Sequence, residues 1–334
     1  MKLLTVGIPV YNEIDYIDHT LNTLIRISKD ITYKVEILVV DNLSSDGTRE
    51  YLKKLKINRE NVSLRVIYND RNEGFNYSYD ELVRAASGDY LWVIGGQDLV
   101  FLQGLQTLEA LWDLNYDYII CNARIKDENL NEIINESLWG DIKEEEFHTL
   151  ESFFAVLGGP CQALSCNILR TEFIRPHLVT PNVSALWGFI ERIMDSLIYS
   201  RDNLKIKFID VPLVEMLIEK NGWQTTIPYA AFTPVLEISE LYKSKLHMDK
   251  GILKSAAPFR DRLGILRTCI QARALGLPPS FRMLQRLRKV YGKSMIFWFL
   301  VVPILVLPKV IARFSTHTRP VVHFVRKMFR IKTF

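Results

Sequence analysis

The sequence predicts an α/β fold in which a largely parallel sheet is flanked by helices. Short apolar runs alternate with segments of helical periodicity from Leu3 to Cys121. Strands and helices that alternate at this spacing are typical of βαβ units. The run Val35–Val40 is almost continuously apolar, as expected of a strand covered on both faces. Apolar residues make up 48% of the chain, which is enough for a buried core and excludes a disordered protein.

The individual elements follow from apolar periodicity and from the turn residues between apolar runs. We predict strands at Leu3–Pro9, Val35–Val40, Val62–Tyr68, Tyr90–Ile94 and Tyr118–Cys121. The predicted helices between them are Glu13–Ser28 with Asn12 as its cap, a segment from Asp46 to about Lys56, Tyr77–Ala86 and Leu102–Leu114. Further along the chain, Leu164–Leu169 has the pattern of a strand and Leu186–Tyr199 that of a helix.

The charge of the chain is divided unevenly between its two ends. Residues 252–334 carry 17 Lys or Arg and a single acidic residue, Asp261, whereas residues 1–251 carry 25 Lys or Arg and 37 Asp or Glu. A cationic tail on an acidic body predicts contact with an anionic surface, either phospholipid or nucleic acid. The basic residues of the tail alternate with Leu, Ile and Phe, a pattern that favours lipid over nucleic acid.

The tail also contains the uncharged run Met295–Pro308, which is 14 residues long. As a helix this run covers roughly 21 Å, which is less than the ~30 Å hydrocarbon core of a bilayer. Continuing to Ala312 gives 18 residues with Lys309 as the only charge. We therefore expect a re-entrant or interfacial element, with a membrane span and an ordinary buried helix as alternatives.

These patterns divide the chain into three regions: 1–122, in which strands and helices alternate regularly, 123–250, in which the pattern is less regular, and 251–334, a helical, basic, membrane-associating tail. The N-terminal apolar run is interrupted by Pro9 and Glu13, so it is interpreted as a strand rather than a signal peptide. The four cysteines form no C-x-x-C pair and have no accompanying histidine cluster, which predicts buried, reduced thiols.

Polar or glycine-containing segments follow each of the first four predicted strands. They are Pro9–Glu13, which includes the end of the first strand, Asp41–Gly47, Asn69–Gly74 and Gly95–Asp98. Because ligands bind at the carboxyl ends of the strands in open α/β sheets, we expect these four tips to share one site.

The same tips resemble family 2 of the inverting nucleotide-sugar glycosyltransferases. The resemblance rests on IPVYNE at Ile8–Glu13, VVDNLSSDGT at 39–48 and NEGFNYSYDELVRAASGDYLWVIGGQD at Asn72–Asp98. It covers roughly residues 3–120, and the combination is specific although each segment alone is weak. It implies a GT-A-type, Rossmann-like mixed sheet and a nucleotide-diphosphate-sugar donor. The same resemblance implies that 1–122 is the nucleotide-sugar-binding half of the domain and 123–250 the acceptor-binding, catalytic half. The family often has Asn and Gly where this chain has Asp80 and Leu82.

The resemblance implies roles for the residues of the first two tips. Asp41 would accept a hydrogen bond from a ring N–H of a uracil-like base, which favours UDP weakly over GDP. Pro9 and Tyr11 would shape the loop beneath the nucleoside, and Glu13 would face the ribose. Glu13 could instead be a carboxylate that the dipole of the first helix favours, and Asp46 is more simply a helix cap than a ligand contact.

Arg71, Asn72 and Gly74 would approach the diphosphate or the base, with Gly74 permitting a close backbone approach. In the family, the fourth strand ends in an acidic cluster that holds a divalent cation, Mg²⁺ or Mn²⁺. This chain has Gln97 at the usual ligand position, so Asp98 is the predicted metal ligand. The alternative for Asp98 is a loop carboxylate that caps the following helix.

An inverting transfer needs a general base, which the family supplies about 90 residues after the acidic cluster. Glu191, within the predicted helix Leu186–Tyr199, is the candidate, with Asp195, His177 and Asp141 as alternatives. Trp187 could stack on a sugar, and Trp223 lies in a segment similar to a loop that closes over the donor in relatives.

The resulting hypothesis is a transferase that acts on a lipid-linked or membrane-bound glycan, such as a cell-surface polysaccharide or O-antigen precursor. The tail would hold it at the cytoplasmic face of a membrane as a peripheral or monotopic protein. No nucleic-acid partner is expected. The main alternative is a pseudoenzyme that binds nucleotide sugars without turnover, since the acidic cluster is reduced to Asp98.

Overall fold

The computed structural model describes residues 2–127, 132–157, 159–179 and 188–218, together with Arg288, Met295 and 297–303. The described residues up to Ile218 belong to one compact unit and those from Arg288 onward to a second. In the second unit, Phe297–Val301 forms a single turn of π-helix. No helix among these residues is both long and apolar enough to cross a membrane. Most of the predicted tail, 251–334, lies outside the described residues.

The first unit is built on one mixed sheet of ten strands. The strands are β1 (Leu3–Val10), β2 (Lys34–Asp41), β3 (Val62–Tyr68), β4 (Tyr90–Val93), β5 (Leu99–Val100), β6 (Tyr118–Asp127), β7 (Glu132–Asn135), β8 (Glu145–Phe147), β9 (Asn167–Arg170) and β10 (Ile206–Ile218). Their order is β3-β2-β1-β4-β9-β6-β10-β5, with β7 beside β6 and β8 beside β10. β3, β2, β1 and β4 are parallel, and β9 is antiparallel to both of its neighbours.

Within the described part of the first unit, seven α-helices flank the sheet. They are α1 (Ile14–Ile27), α2 (Thr48–Lys54), α3 (Phe75–Ala85), α4 (Leu102–Leu111), α5 (Leu150–Leu157), α6 (Thr171–Ile174) and α7 (Gly188–Tyr199). The α/β fold with a mixed, helix-flanked sheet is thus confirmed for the described part of the chain. The predicted boundary at residue 122 falls within β6, so the two predicted halves share a single sheet.

The core lies where the parallel strands meet the helices. In β2 every residue after Lys34 is buried, as the continuous apolar run predicts. Gly88 allows the closest backbone approach, because a Cβ atom there would lie 2.5 Å from the Thr5 amide nitrogen. The predicted buried thiols are found at Cys121, Cys161 and Cys166, and Cys269 lies outside the described residues.

Two local predictions were wrong. The predicted strand Leu164–Leu169 begins as a 3₁₀ turn at Leu164–Cys166 and becomes β9 only at Asn167. The turn is imposed by tertiary bonds, since the Ser165 carbonyl accepts a hydrogen bond from the Trp92 indole at 2.8 Å. Asn12 does not cap the first helix, which begins after Glu13 without a side-chain bond from its own cap residue.

Candidate active site

The first four strands end side by side at one edge of the sheet. Val10 lies opposite Asp41, and Asp41 lies opposite Tyr68. The pairing continues past the strand ends, because the Asn42 amide donates to the Val10 carbonyl and the Asn69 amide to the Asp41 carbonyl, each at 2.9 Å. β4 pairs with the other side of β1. The four tips predicted to share an edge therefore do share it, and the loops that follow them form its rim.

The loops after β1 and β2 are joined by side-chain hydrogen bonds. The Asn12 amide donates to Ser44 Oγ at 2.9 Å, and the Ser45 amide donates to Asn12 Oδ1 at 2.8 Å. Both loops contain a left-handed residue that is not glycine, Asn12 with φ 58° and Leu43 with φ 64°. This conformation is unusual for leucine, and such strain concentrates at functional sites. Tyr11 and Leu43 are exposed here, at 49% and 38%.

Asp46 connects two helix N-termini at this rim. Its carboxylate accepts hydrogen bonds from the Ile14 amide and the Thr48 amide, each at 3.0 Å. Partial burial opposes ionisation, but these bonds and one from the Thr48 hydroxyl lower the pKa of Asp46. The contacts of Asp46 are therefore those of a helix cap, as one of the two interpretations predicted. Asp46 accepts from the first amide of α1 as well as from that of α2.

Asp41 is fully buried at the end of β2 and forms an ion pair with Arg49. Arg49 Nε donates to Asp41 Oδ2 at 2.6 Å, and the Ser44 amide donates to Asp41 Oδ1 at 3.2 Å. Arg49 Nη2 also donates to the Asn69 carbonyl at 2.6 Å, and the guanidinium lies 5.4 Å from the centre of the Tyr68 ring. Arg49 thereby links the tips of β2 and β3 and neutralises the buried carboxylate.

Side-chain amides hold the loop between β3 and α3. Asn42 Nδ2 donates to Asn72 Oδ1 at 2.8 Å, and Asn72 Oδ1 also accepts from the Gly74 amide at 3.0 Å. Gly74 has φ 83°, which favours glycine, and α3 begins directly after it. Arg71 is exposed and paired with Glu73. Arg71, Asn72 and Gly74 are thus together on the rim, with Arg71 facing solvent.

Asp98 lies in the turn after β4 and is held from three directions. Its Oδ2 accepts a hydrogen bond from Ser165 Oγ and its Oδ1 accepts one from the Leu217 amide at 3.3 Å, while its own amide donates to the Gly95 carbonyl at 3.1 Å. Burial raises the pKa of the Asp98 carboxyl to about 6, and the bonds from Ser165, Leu217 and Gly95 act in the opposite direction. Only 6% of the residue is exposed.

Two other predicted residues contact the same turn. A Cβ atom at Gly96 would lie 3.3 Å from both Cγ and Cδ of Glu13, so Glu13 packs against the Gly96 backbone. The Gln97 side-chain amide donates to the Leu217 carbonyl at 3.1 Å, which anchors the turn to β10. Glu13 and Asp98 are thereby brought to the same short turn. Pro9 lies within β1 opposite Val40, one residue before the strand ends.

The carboxylate at the end of β4 suits a divalent cation. The Asp98 carboxylate accepts hydrogen bonds from Ser165, Leu217 and Gly95, which leaves about one of its four lone-pair sites for another ligand. Mg²⁺ is commonly held by one or two carboxylates together with substrate phosphates, so a single carboxylate at this tip fits such an ion. Hydrogen bonds to a ligating carboxylate are also usual. Within the described ranges, no group of three or more His, Cys, Asp or Glu residues could hold a metal by itself.

The candidate base lies in the first turn of α7. Glu191 is 2% exposed, and Asp195 one turn later is half-buried. The neighbouring Phe189 ring lies 6.1 Å from the Phe75 ring and 5.8 Å from the Tyr79 ring, so this turn packs on the start of α3. Because α3 begins at the rim, Glu191 is on the part of α7 nearest the strand tips.

The alternative residues are distributed differently. His177 is half-buried beside Tyr199, with 5.1 Å between ring centres, and burial lowers its pKa. Asp141 is exposed in the turn between β7 and β8. Trp187 and Trp223 lie outside the described residues.

Sequence reasoning missed Arg49 and Ser165. Arg49 carries one recognisable signal, since a cation in the first turn of a helix opposes the helix dipole and usually has a nearby carboxylate. Ser165 carries none, because its contacts with Gly95 (3.0 Å) and Asp98 join segments about 70 positions apart.

Comparisons with known proteins agree with this architecture. The model of the family described as "Glycosyl transferase family 2" matches residues 5–175, just over half of the chain. The abequosyltransferase RfbV of Salmonella typhimurium is 31% identical over 135 residues, which are 40% of this chain and 39% of RfbV. The putative teichuronic acid biosynthesis glycosyltransferase TuaG of Bacillus subtilis is 29% identical over 96 residues, 29% of this chain and 36% of TuaG.

Two solved structures share the fold. TarS of S. aureus in complex with UDP-GlcNAc has a TM-score of 0.59 at 14% identity, covering 95% of this chain and 92% of that one. The mannosyltransferase PcManGT of Pyrobaculum calidifontis, in complex with GDP-Man and Mn²⁺, has a TM-score of 0.56 at 16% identity, covering 95% and 87%. With a parallel sheet edge whose tips match the family motifs, and a family match over more than half its length, the chain belongs to glycosyl transferase family 2.

Proposed function

We propose that this protein is an inverting glycosyltransferase that uses a nucleotide-diphosphate sugar. The observation that carries the proposal is the convergence of Asp41, Glu13, Asn72 and Asp98 on one sheet edge, with Glu191 on a helix packed beside it. The solved structures of TarS and PcManGT that share the fold are complexes with UDP-GlcNAc and with GDP-Man, and both nucleotide sugars belong to this donor class.

The donor would lie along the rim, with its nucleoside over the tips of β1 and β2. Pro9 and Tyr11 would form the surface beneath the nucleoside, Glu13 would approach the ribose, and Asp41 would face the base. The buried Asp41 carboxylate accepts from Arg49 and Ser44 and has lone pairs left for a base N–H. Uracil and thymine offer such a ring N–H, but guanine does so as well, so the weak preference for UDP over GDP rests on the family resemblance and not on this contact.

The diphosphate would lie between Arg71, Gly74 and the turn that contains Gln97 and Asp98. Arg71 is exposed and reaches solvent at the rim, as a phosphate-binding side chain must. Asp98 would hold a divalent cation, Mg²⁺ or Mn²⁺, together with the phosphates. When bound, such a cation neutralises the charge that develops on the leaving nucleotide diphosphate.

In the transfer, an acceptor hydroxyl oxygen bonds to the anomeric carbon as the bond from that carbon to the diphosphate breaks. The hydroxyl proton passes to the Glu191 carboxylate, and the nucleotide diphosphate leaves with the electron pair of the broken bond. Burial of Glu191 at 2% exposure keeps bulk water from competing for this position. Asp195 is the second candidate for the base.

The acceptor is proposed to be a lipid-linked or membrane-bound glycan of a cell-surface polysaccharide, reached at the cytoplasmic face of a membrane. TuaG, a relative over part of the chain, is named for teichuronic acid biosynthesis. The basic residues of 252–334 alternate with apolar ones, which suits an anionic membrane surface. Sedimentation of the full chain with vesicles of anionic phospholipid, compared with neutral vesicles, tests this; equal binding to both would remove the membrane part.

A second candidate function is nucleotide-sugar binding without turnover. It is favoured by the turn Gly95–Asp98, in which Gln97 occupies the usual acidic position and bonds to Leu217. Release of free nucleotide diphosphate from a donor panel, with Mn²⁺ and a short glycan acceptor, separates the two functions. Turnover that requires acceptor supports the transferase, and saturable donor binding without turnover supports the pseudoenzyme.

A further inference from the structure

A buried ion pair connects α3 to α7 next to the candidate base. Arg192 Nη2 donates to Asp80 Oδ2 at 2.8 Å, and Arg192 Nε donates to Asp80 Oδ1 at 3.1 Å, so the pair is bidentate. The Arg192 side chain is 2% exposed and that of Asp80 is 11% exposed. Arg192 Nη1 also donates to the His177 carbonyl at 3.2 Å, which ties in the segment Arg175–Val179.

The same two helices are joined at one further level. The Gly188 amide, at the first residue of α7, donates to Asn76 Oδ1 in α3 at 3.1 Å. Between this bond and the ion pair, Phe189 packs against Phe75 and Tyr79. Glu191 therefore lies on a helical turn that is fixed to α3 from both ends, and α3 begins at the rim of the donor edge.

We propose that the Asp80–Arg192 pair is the positioning element of Glu191, fixing the turn of α7 that carries it and setting the charge around its carboxylate. The proposal rests on the assignment of Glu191 as the base. Arg192 directly follows Glu191, and the Glu191 charge acts on the guanidinium. Burial opposes the charged guanidinium, but the Asp80 bonds and the charges of Asp80, Glu191 and Asp195 raise the pKa of Arg192.

Removing either partner of the ion pair is expected to change the protonation of Glu191, and the direction of the change differs between the two partners. Without the Asp80 charge, the negative charges of Glu191 and Asp195 still act on the buried guanidinium, which would then stabilise the Glu191 carboxylate more strongly. Without the Arg192 charge, Glu191 loses the cation on which its charge acts, while the negative charge of Asp80 remains on the adjoining helix, and both changes favour the protonated form of Glu191. The elements packed against α7 are α3, α6 and the segment Arg175–Val179. With α7 itself, their other charged or titratable groups are Tyr77, Tyr79, Asp80, Glu81, Arg84, Glu172, Arg175, His177, Arg192, Asp195 and Tyr199.

The test measures the protonation of Glu191 without using catalysis. The free energy of unfolding in urea is measured from pH 4 to pH 9 for the full chain with Glu191 and with Glu191→Gln, and the pH midpoint of their difference reports the folded-state protonation of Glu191. This is repeated in Asp80→Asn and in Arg192→Met backgrounds. We expect the midpoint to fall in Asp80→Asn and to rise in Arg192→Met, each by about one pH unit, or tenfold in the protonation constant.

Equal midpoints in the three backgrounds, or midpoint shifts of the same sign in Asp80→Asn and Arg192→Met, would overturn the proposal. If the ion pair had only a structural role, both variants would be less stable but their midpoints would not shift in opposite directions. If Arg192→Met does not fold, the double variant Asp80→Asn/Arg192→Met removes both ions of the pair and so leaves neither partner buried without the other. Its midpoint should return close to that of the wild type, and a shift as large as in Asp80→Asn contradicts the proposal. Absence of sugar transfer by the wild type would refute the proposed function. The titration would still decide whether the Asp80–Arg192 pair sets the protonation of Glu191.

Discussion

The substitution Asp98→Asn removes the carboxylate that we propose as a metal ligand. It therefore measures how much the burial of that carboxylate lowers the free energy of unfolding, independently of metal binding. Burial raises the Asp98 pKa from 3.8 to about 6. A raised pKa means that the folded protein binds the proton more tightly than the unfolded chain. The contribution of protonated Asp98 to the free energy of unfolding is therefore fully present below pH 4 and is lost as the pH rises through 6. A difference of about two units corresponds to roughly 3 kcal/mol at neutral pH.

Asparagine has the shape of the protonated acid and no charge. The metal-free Asp98→Asn protein should therefore be more stable than the wild type above pH 7, by about 1–3 kcal/mol once imperfect amide geometry is allowed for. The two proteins should be equally stable near pH 4. The assay is urea unfolding in EDTA, followed by far-UV circular dichroism from pH 4 to pH 8.

The matched control is Asp202→Asn, because the Asp202 side chain is 95% exposed and its replacement should leave the pH dependence unchanged. The reasoning is refuted if Asp98→Asn is less stable than the wild type at pH 8. That outcome would mean that the bonds from Ser165, Leu217 and Gly95 stabilise the carboxylate more than burial destabilises it.

Three further substitutions test the site. Glu191→Gln should lower kcat by about 10²–10⁴-fold with donor KM unchanged, because only proton removal is lost; single-turnover transfer measures this, with Asp195→Asn as the comparison. Arg49→Met should lower the free energy of unfolding by about 3–5 kcal/mol, because it leaves buried Asp41 unpaired, as urea unfolding would report. Leu43→Asn should stabilise the fold by about 1 kcal/mol, since asparagine tolerates the left-handed conformation better, and should weaken donor binding in a fluorescence titration.

Each of these expectations has a result that contradicts it. A larger loss in Asp195→Asn than in Glu191→Gln would move the base to Asp195. If the double variant Asp41→Asn/Arg49→Met is no more stable than Arg49→Met, the destabilisation does not come from an unpaired Asp41. The control for Leu43 is Leu114→Asn, because Leu114 is also exposed, at 51%, and is not among the left-handed residues; equal stabilisation of both variants would remove backbone strain as the cause.

Much of the fold could be predicted from the sequence because local patterns and tertiary structure agree in the first half. The strand Val62–Tyr68 has the predicted bounds, and β2 extends the predicted run by one residue at each end. The disagreement at Leu164–Leu169 has a tertiary cause. Hydrogen bonds from Trp92 and Gly95 to Ser165 pull the backbone into a turn that an apolar run does not predict.

The candidate site was predictable as a set of positions and less so as a network. Strand ends and polar tips indicated which residues meet, since parallel strands place their ends at one edge. They did not indicate that Asp41 is paired with Arg49, or that Asp80 and Arg192 meet 112 positions apart. The pairing with Arg192 explains why this chain has an aspartate at position 80, where the family often has asparagine.

The most direct test of a nucleotide-sugar site at these strand tips is an equilibrium titration with UDP-, TDP- and GDP-sugars, with and without Mn²⁺. It is made with wild type and with Asp98→Asn, which we expect to be the more stable protein. The account predicts that one nucleotide class binds the wild type in a Mn²⁺-dependent manner and that Asp98→Asn loses this dependence although it remains folded. Binding that is indifferent both to Mn²⁺ and to Asp98, or no binding of any donor by the wild type, would contradict it.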